Sequence, residues 1–295
     1  MPSASQTLAV SRRATLGALV ELTKPSIAAL VMVTALCGAL VAPGPLPVAR
    51  LLIALVATAL VVGAANALNM YVERDADALM RRTRNRPLPS GRLSPEIALG
   101  FALVLASVGL NTLGVVVGGV AFFLTFLAFT SYVLAYTPLK RLSQAALYVG
   151  ALPGALPPLI GFASVTGGFG EGAAWLFLVL FVWQIPHFLA IAIFRSEDYR
   201  AAGMKVHSVV HGVRSTKIAI VLSSLVLAAV TLAPAWTGAV RTSYLLVAAP
   251  SAFAFTAYAV LGLRTEAHAR WARRLFFLSM PYLVVVYAAF VARAA

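Results

Sequence analysis

Charged side chains are scarce in this chain of 295 residues: they make up 11% of it, against 61% hydrophobic residues. A soluble domain carries about a quarter charged residues, so this composition predicts an integral membrane protein. The single cysteine, Cys37, excludes a disulfide framework and a cysteine metal site. The net charge of +14 does not indicate a nucleic-acid partner, because the basic residues lie in short loops between apolar runs.

No long polar linker divides the sequence, and we expect no removable signal peptide. Residues 1–25 are polar to mildly amphipathic, and no small-residue cleavage site follows a short apolar core there. We therefore expect a cytoplasmic N-terminal segment at 1–25 and a single transmembrane domain over 26–295.

The apolar runs are long enough to cross a lipid bilayer. The ambiguous stretch is 97–137, about 61 Å of helix if it is continuous, and Gly114, Gly118 and Gly119 offer a place to turn. Dividing it places 20 basic residues inside and three outside, whereas one continuous helix gives 11 and 12. The prediction is an all-α integral membrane protein of nine transmembrane helices around a central cavity open to the cytoplasmic side. The predicted spans are about 26–42, 51–71, 97–113, 117–137, 144–165, 173–193, 216–236, 243–263 and 274–292.

The most informative polar stretch, 69–92, reads NMYVERDADALMRRTRNRPLPSGR. Asn69, Glu73 and Asp77 are spaced i, i+4, i+8, which puts three oxygen ligands on one face of a helix, while Asp75 points away. Such ligands beside clustered arginines suit an anionic, metal-bound substrate, above all a diphosphate with Mg²⁺. Interfacial anchoring explains each feature alone, but not their combination. The arginines are Arg81, Arg82, Arg84, Arg86 and Arg92.

A second constellation follows the sixth apolar run. His187 lies inside that run, and an ionisable residue at membrane depth is a functional candidate. The alternative is a histidine that is hydrogen-bonded to a neighbouring helix. Glu197 and Asp198 cannot share a helix face, so only one of them should face a cavity; an interfacial ion pair with a nearby arginine is the alternative for Asp198.

Residues 136–161, YTPLKRLSQAALYVGALPGALPPLIG, connect these constellations. Lys140 and Arg141 offer further phosphate partners at the inner mouth, and Tyr136 is positioned to line a cavity. The prolines should bend or break the fifth span, which is tolerated where backbone lines a cavity. These prolines are Pro153, Pro157 and Pro158.

Together these stretches resemble the UbiA-type intramembrane prenyltransferase superfamily, and within it the heme-directed branch. The pattern Asn-x₃-Glu-x-Asp-x-Asp from Asn69, the runs MRRTRNRPLPSGRL, YTPLKR and PPLIG, and WQIPHF followed by DYRAAG carry the resemblance. Two departures stand out. Phe194 replaces an aspartate of the usual second acidic motif, which leaves the second metal site in doubt, and Lys205 and Ser208 replace prolines.

The resemblance implies transfer of a farnesyl group from farnesyl diphosphate to a vinyl group of heme B (protoheme IX), followed by addition of water to give heme O. It implies Mg²⁺ held by Asn69, Glu73, Asp77 and Asp198. It implies diphosphate binding by Arg81, Arg84, Arg86, Lys140, Arg141 and Arg195. On the heme or substrate side it implies His187, as an iron ligand or a propionate partner, with Tyr136, Tyr199 and Asp75.

The resemblance also implies a bacterial cytoplasmic (inner) membrane location, with the N-terminus in the cytoplasm. The implied partners are the lipid bilayer, a heme A synthase and oxidase assembly factors, and no nucleic acid. Two alternatives stay open: prenyl transfer to a quinone precursor or another lipid acceptor in the same fold, and a multi-span transporter. Transporters usually show inverted repeats with broken helices near mid-membrane, and no internal repeat is visible here.

Overall fold

The computed structural model of the protein describes residues 15–294. Within that range there is no β-strand, and nine helices are long and apolar enough to cross a membrane. The predicted all-α fold of nine spans is confirmed, while residues 1–14 of the expected N-terminal segment lie outside the described residues. The helices are α1 Thr15–Leu40, α2 Val48–Leu79, α3 Pro95–Val117, α4 Gly119–Leu142, α5 Ala146–Thr166, α6 Glu171–Phe194, α7 Gly212–Thr237, α8 Thr242–Arg264 and α9 His268–Ala292.

The ambiguous stretch divides at Gly118, between α3 and α4. Gly118 has φ 138°, a conformation open to glycine but not to ordinary side chains. The last turn of α3 is a π-helix, Leu113–Val117, and the guanidinium of Arg50 donates a hydrogen bond to the Val117 carbonyl at this turn. The glycine therefore reverses the chain where the charge distribution requires a turn.

Helix α1 is interrupted at Lys24, which lies between a helical segment at 15–23 and the helix Pro25–Leu40. Proline disfavours the α-helical conformation in the residue before it and is well suited to begin the next helix. Lys24 adopts φ 49°, the one positive φ at a non-glycine residue among those described. Ala18 and Leu22 of the first segment are buried in a core that α2 and α3 also supply. Part of the expected N-terminal segment is thus packed on the helix bundle.

Helix α5 is broken, as its prolines predict, into Ala146–Ala155 and Pro157–Thr166. The second half crosses α1 at close range. A Cβ atom on Gly161 would lie 1.7 Å from the carbonyl oxygen of Ala35, so no larger residue fits there. The crossing fixes α5 against α1 and leaves the break beside the interior of the bundle.

The largest hydrophobic core lies among α6, α7, α8 and α9. Leu176, Leu227, Tyr244 and Phe290 are fully buried in it, and the free thiol of Cys37 packs against its edge. Two short helices, Ser196–Ala201 and His207–Val210, follow α6. This core packs α6 and α9 against α7 and α8, and it thereby positions the side chains of α6 and α9 that face the interior of the bundle.

Candidate active site

A cavity of about 1420 Å³ occupies the interior of the bundle. Helices α1, α2, α4, α5, α6 and α9 line it, together with the segment after α6. The two polar constellations, which are more than 100 residues apart in the chain, therefore meet around one space. The predicted residues that line it are Asn69, Glu73, Asp77, Arg86, Tyr136, Lys140, His187, Arg195 and Tyr199.

One side of the cavity, here called the ionic wall, consists of Lys24, Asn69, Glu73, Asp77, Arg86 and Lys140. Glu73 is 5% exposed, and its Oε1 lies 2.9 Å from the Lys140 ammonium nitrogen of α4. This contact is a short, buried ion pair between two helices. The Lys140 ammonium also lies 4.5 Å from the centroid of the Tyr136 ring.

Asp77 is paired with an arginine that follows it in sequence. After α2 the chain turns back, and the Thr83 hydroxyl donates to the Asp77 carbonyl at 2.8 Å. This turn brings the Arg86 guanidinium to 2.7 Å from Asp77 Oδ2, where the carboxylate is 1% exposed. Asp77 thus has a partner on the loop, whereas Glu73 has one on another helix.

Asn69 connects α2 to two other helices. Its Nδ2 donates to the Thr137 hydroxyl of α4 at 3.2 Å, and its Oδ1 accepts from the Lys24 ammonium at 3.4 Å. Lys24 is not one of the site residues predicted from the sequence. One sequence feature could have indicated Lys24: it precedes Pro25, and the residue before a proline tends to leave the helical conformation.

A second part of the cavity lining, here called the aromatic wall, consists of Trp183 and His187 of α6 and Phe276 of α9. The His187 ring centroid lies 4.5 Å from that of Trp183 and 4.6 Å from that of Phe276. His187 Nδ1 lies 2.7 Å from the hydroxyl oxygen of Ser279 on α9. The histidine therefore satisfies both interpretations of the sequence: it is hydrogen-bonded to a neighbouring helix, and it lines the cavity.

Gln184 joins the aromatic wall to the broken helix. Its Nε2 donates to the carbonyl of Ala151 in α5 at 3.0 Å and to that of Leu180 at 3.2 Å. Gly154 allows this approach, because a Cβ atom there would lie 2.1 Å from Gln184 Oε1. The amide thus ties the break in α5 to α6.

Several predicted site residues do not line the cavity. Asp75 is exposed, as its helical position predicted, and its side chain is 82% accessible. Asp198 lies 3.6 Å from Arg195 in an ion pair, the alternative left open for it. In the turn after α2, Met80, Thr83 and Leu88 are buried, so most of the intervening side chains face outward. Three of the predicted diphosphate-binding residues are exposed and lie outside the cavity lining: Arg81, Arg84 and Arg141.

Two cavity-lining residues outside the membrane-spanning helices, Tyr199 and His207, have a shifted pKa. Burial raises the pKa of Tyr199, and the nearby Tyr136 hydroxyl adds to that shift. Burial, with the neighbouring His211, lowers the pKa of His207, whose Nδ1 lies 3.0 Å from the Thr216 hydroxyl. The His207 and His211 ring centroids lie 4.9 Å apart, yet no group of three His, Cys, Asp or Glu side chains in residues 15–294 could hold a metal ion.

Comparison with solved structures places this arrangement in a known fold. A digeranylgeranylglyceryl phosphate synthase superimposes with a TM-score of 0.79 at 16% identity, covering 94% of this chain and 98% of the other. A UbiA homolog from Archaeoglobus fulgidus bound to GPP and Mg²⁺ superimposes with a TM-score of 0.68 at 16% identity, covering 92% and 99%. At these identities the likeness concerns the fold.

Sequence comparison is more specific. A protoheme IX farnesyltransferase from Anaeromyxobacter dehalogenans is 45% identical over 271 residues, 92% of each chain. Another from Sorangium cellulosum is 49% identical over 245 residues, 82% of this chain and 87% of the other. The model of the UbiA prenyltransferase family matches residues 31–280. The resemblance inferred from the motifs is confirmed, and the chain belongs to the UbiA prenyltransferase family.

Proposed function

We propose that this protein transfers the farnesyl group of farnesyl diphosphate to a vinyl group of heme B, making heme O. The observation that carries the proposal is one cavity lined both by a cluster of carboxylates and cations and by an aromatic, histidine-bearing surface. The first suits a metal-bound diphosphate, and the second suits a flat, apolar metalloporphyrin. Sequence relatives named protoheme IX farnesyltransferase support the same acceptor.

The ionic wall has the donors that Mg²⁺ requires. Asn69 Oδ1 and the carboxylates of Glu73 and Asp77 are hard oxygen ligands on one face of α2, and all three residues are buried. Mg²⁺ is usually held by one or two carboxylates together with substrate phosphates, so a complete protein cage is not needed. Bound there, the ion supplies positive charge to the diphosphate as it departs.

The cations of the ionic wall would bind the diphosphate directly. Lys24, Arg86 and Lys140 approach from three separate segments, and Arg82 and Arg195 also line the cavity. Arg86 and Lys140 pair with Asp77 and Glu73, so both buried carboxylates of the ionic wall have a cationic partner in the protein alone. Preorganised cations stabilise a leaving anion without reorganisation at the moment of reaction.

In the proposed reaction, the bond between the farnesyl carbon and the diphosphate oxygen breaks, and diphosphate leaves with the electron pair. A heme vinyl carbon forms the new carbon–carbon bond. Water then adds to the adjacent vinyl carbon and loses a proton, which leaves a hydroxyethylfarnesyl group. The apolar lining contributed by Tyr132, Tyr136 and Phe276 would shield the allylic cation from water until the vinyl group reacts.

The proposal extends to placement in the cell. We place the protein in the bacterial cytoplasmic membrane with the ionic wall toward the cytoplasm, because the loops at that end carry most of the basic residues. Heme B and farnesyl diphosphate are its substrates, and an enzyme that oxidises heme O further is the partner expected downstream. A heme A synthase has that activity.

The test uses the purified full-length protein with heme B, farnesyl diphosphate and Mg²⁺, followed by mass analysis of the extracted heme. We expect a heme that has gained one farnesyl group and one water. Glu73→Gln should abolish this product, whereas Asp75→Asn, two residues along the same helix but exposed, should retain it. Prenylation of a quinone precursor but not of heme would overturn the acceptor, and absence of metal-dependent diphosphate release with either acceptor would overturn prenyl transfer.

A further inference from the structure

The hydroxyl of Ser279 lies directly behind the cavity-facing ring of His187. Its oxygen lies 2.7 Å from His187 Nδ1, and the same hydroxyl donates to the Phe276 carbonyl one helical turn earlier at 2.7 Å. The Ser279 carbonyl oxygen also accepts from Trp183 Nε1 at 2.7 Å. Two residues of α6, four positions apart, are therefore both held by one residue of α9.

These contacts select one tautomer of His187. A hydroxyl has a single proton, and here it serves the Phe276 carbonyl, a common arrangement for serine in a helix. The 2.7 Å contact to Nδ1 is then a hydrogen bond only if Nδ1 carries the proton and donates it to Ser279. In the other tautomer Nδ1 carries no proton, so the Ser279 hydroxyl would have to donate its single proton to Nδ1. The contact between that hydroxyl and the Phe276 carbonyl would then have no hydrogen.

With the proton on Nδ1, the neutral ring presents a lone pair at Nε2. His187 lines the cavity, and among residues 15–294 no group hydrogen-bonds to Nε2. No acidic side chain of that range forms an ion pair with this histidine. A lone pair of this kind binds a Lewis acid, whereas a propionate would require a proton donor.

We propose that Ser279 is a positioning residue that fixes the Nδ1–H tautomer of His187, so that Nε2 becomes an axial ligand of the iron in the heme substrate. The inference rests on the proposed heme acceptor and adds to it the orientation of that acceptor. Histidines that bind metals usually donate their other N–H to a fixed partner, which orients the ring. Here that partner is a neutral hydroxyl on another helix.

Iron ligation would help to align the heme with the farnesyl chain. A porphyrin in a wide apolar cavity can slide in its own plane, and only some positions bring a vinyl carbon to the reacting end of the farnesyl chain. A bond from Nε2 to iron fixes the centre of the macrocycle against α6 while the ionic wall holds the diphosphate. Holding two reactants in a reactive geometry is a large source of catalytic rate.

The test is the absorption and resonance Raman spectrum of heme B bound to the full-length protein without farnesyl diphosphate, so turnover is not needed. We expect the wild type to show an iron–histidine signature that His187→Ala loses and that added imidazole restores. Ser279→Ala should shift the iron–histidine vibration and weaken heme binding about tenfold, the lower end of the usual cost of removing a metal ligand's hydrogen-bond partner. Ser279→Thr, which keeps the hydroxyl, should restore both.

Ser224→Ala is the matched control. Ser224 is also fully buried and also donates to a carbonyl of its own helix, that of Ile220 at 2.7 Å, but its hydroxyl contacts no histidine. Its spectrum should equal that of the wild type. An iron–histidine signature that persists in His187→Ala overturns the ligand assignment, and an unchanged vibration and affinity in Ser279→Ala overturn the positioning role. Either failure leaves heme farnesylation by the wild type intact, so it is distinguishable from failure of the proposed function.

Discussion

The ionic wall and the aromatic wall face the same cavity but are held in place by different interactions. In the ionic wall each acid has a cationic partner from another segment, such as Lys140 for Glu73 at 2.9 Å and Arg86 for Asp77 at 2.7 Å. In the aromatic wall the groups are neutral, and ring stacking and hydrogen bonds between α6 and α9 hold His187.

The difference indicates how each wall should respond to substitution. A buried charge that loses its partner carries a large penalty, because the remaining charge is left without compensation in an apolar surrounding. A neutral hydrogen bond contributes less, so its loss should alter orientation more than folding. We therefore expect the largest effects of substitution on activity in the ionic wall and smaller, more selective effects in the aromatic wall.

Replacing Lys140 should break the ionic wall most severely. Lys140→Met leaves Glu73 buried without its ion-pair partner and removes a cation from the diphosphate site, and we expect turnover to fall about 100-fold to 1000-fold. Arg141→Met, the adjacent but exposed basic residue, should stay near wild type. The rate of product formation at saturating substrate concentrations measures the activity of both variants, and thermal unfolding checks that they are folded. Equal losses of activity in the two variants would contradict the role given to Lys140 in the ionic wall.

Arg86 should show a smaller effect that is specific to the diphosphate. Arg86→Lys keeps the charge but loses the fork geometry that matches carboxylate and phosphate groups, and we expect KM for farnesyl diphosphate to rise about tenfold. Arg84→Lys is the control, since Arg84 is exposed and lies two residues away in the same turn. Steady-state kinetics at varied farnesyl diphosphate separate the two, and a rise in KM for Arg84→Lys alone would reverse the assignment.

Trp183 tests the aromatic wall without changing charge. Trp183→Phe keeps a ring beside His187 but removes the hydrogen bond to Ser279, and we expect a loss of about 1 kcal/mol in the free energy of unfolding. Metal-dependent diphosphate binding should be unchanged. Trp175→Phe is the matched control, because that indole bonds to the exposed Glu171 carboxylate at 3.2 Å. Calorimetry measures the free energy of unfolding of both variants. Equal losses of stability would show that the hydrogen bond between Trp183 and Ser279 stabilises the protein no more than the exposed one does.

The smallest expected effect lies at the rim of the cavity, at His207. Its pKa in the folded protein is lowered below the ordinary value of 6.5, so between that value and the folded pKa the unfolded chain binds more protons than the folded one. His207 thus favours the folded state fully above pH 6.5 and less as the pH falls below it. Acidification from pH 7 to pH 5 should lower the Tm of the wild type more than that of His207→Gln, by about 1 °C. A smaller acid-induced drop in the wild type would contradict the sign.

The sequence by itself determined the features that depend on neighbouring residues. Apolar runs, the charge distribution and Gly118 define nine spans, and helical spacing alone puts Asn69, Glu73 and Asp77 on one face with Asp75 turned away. The prolines of α5 predicted its break for the same reason, because a missing backbone N–H acts on its own helix.

Only the tertiary structure decided which of several similar side chains reach the cavity. Arg84 and Arg86 lie in one basic run, but the turn closed by Thr83 directs Arg86 inward and leaves Arg84 exposed. Lys24 approaches Asn69, and Ser279 approaches His187, across 45 and 92 residues of sequence. Such contacts depend on helix crossings and loop paths, which are set by packing among distant segments and not by the spacing of residues along one helix.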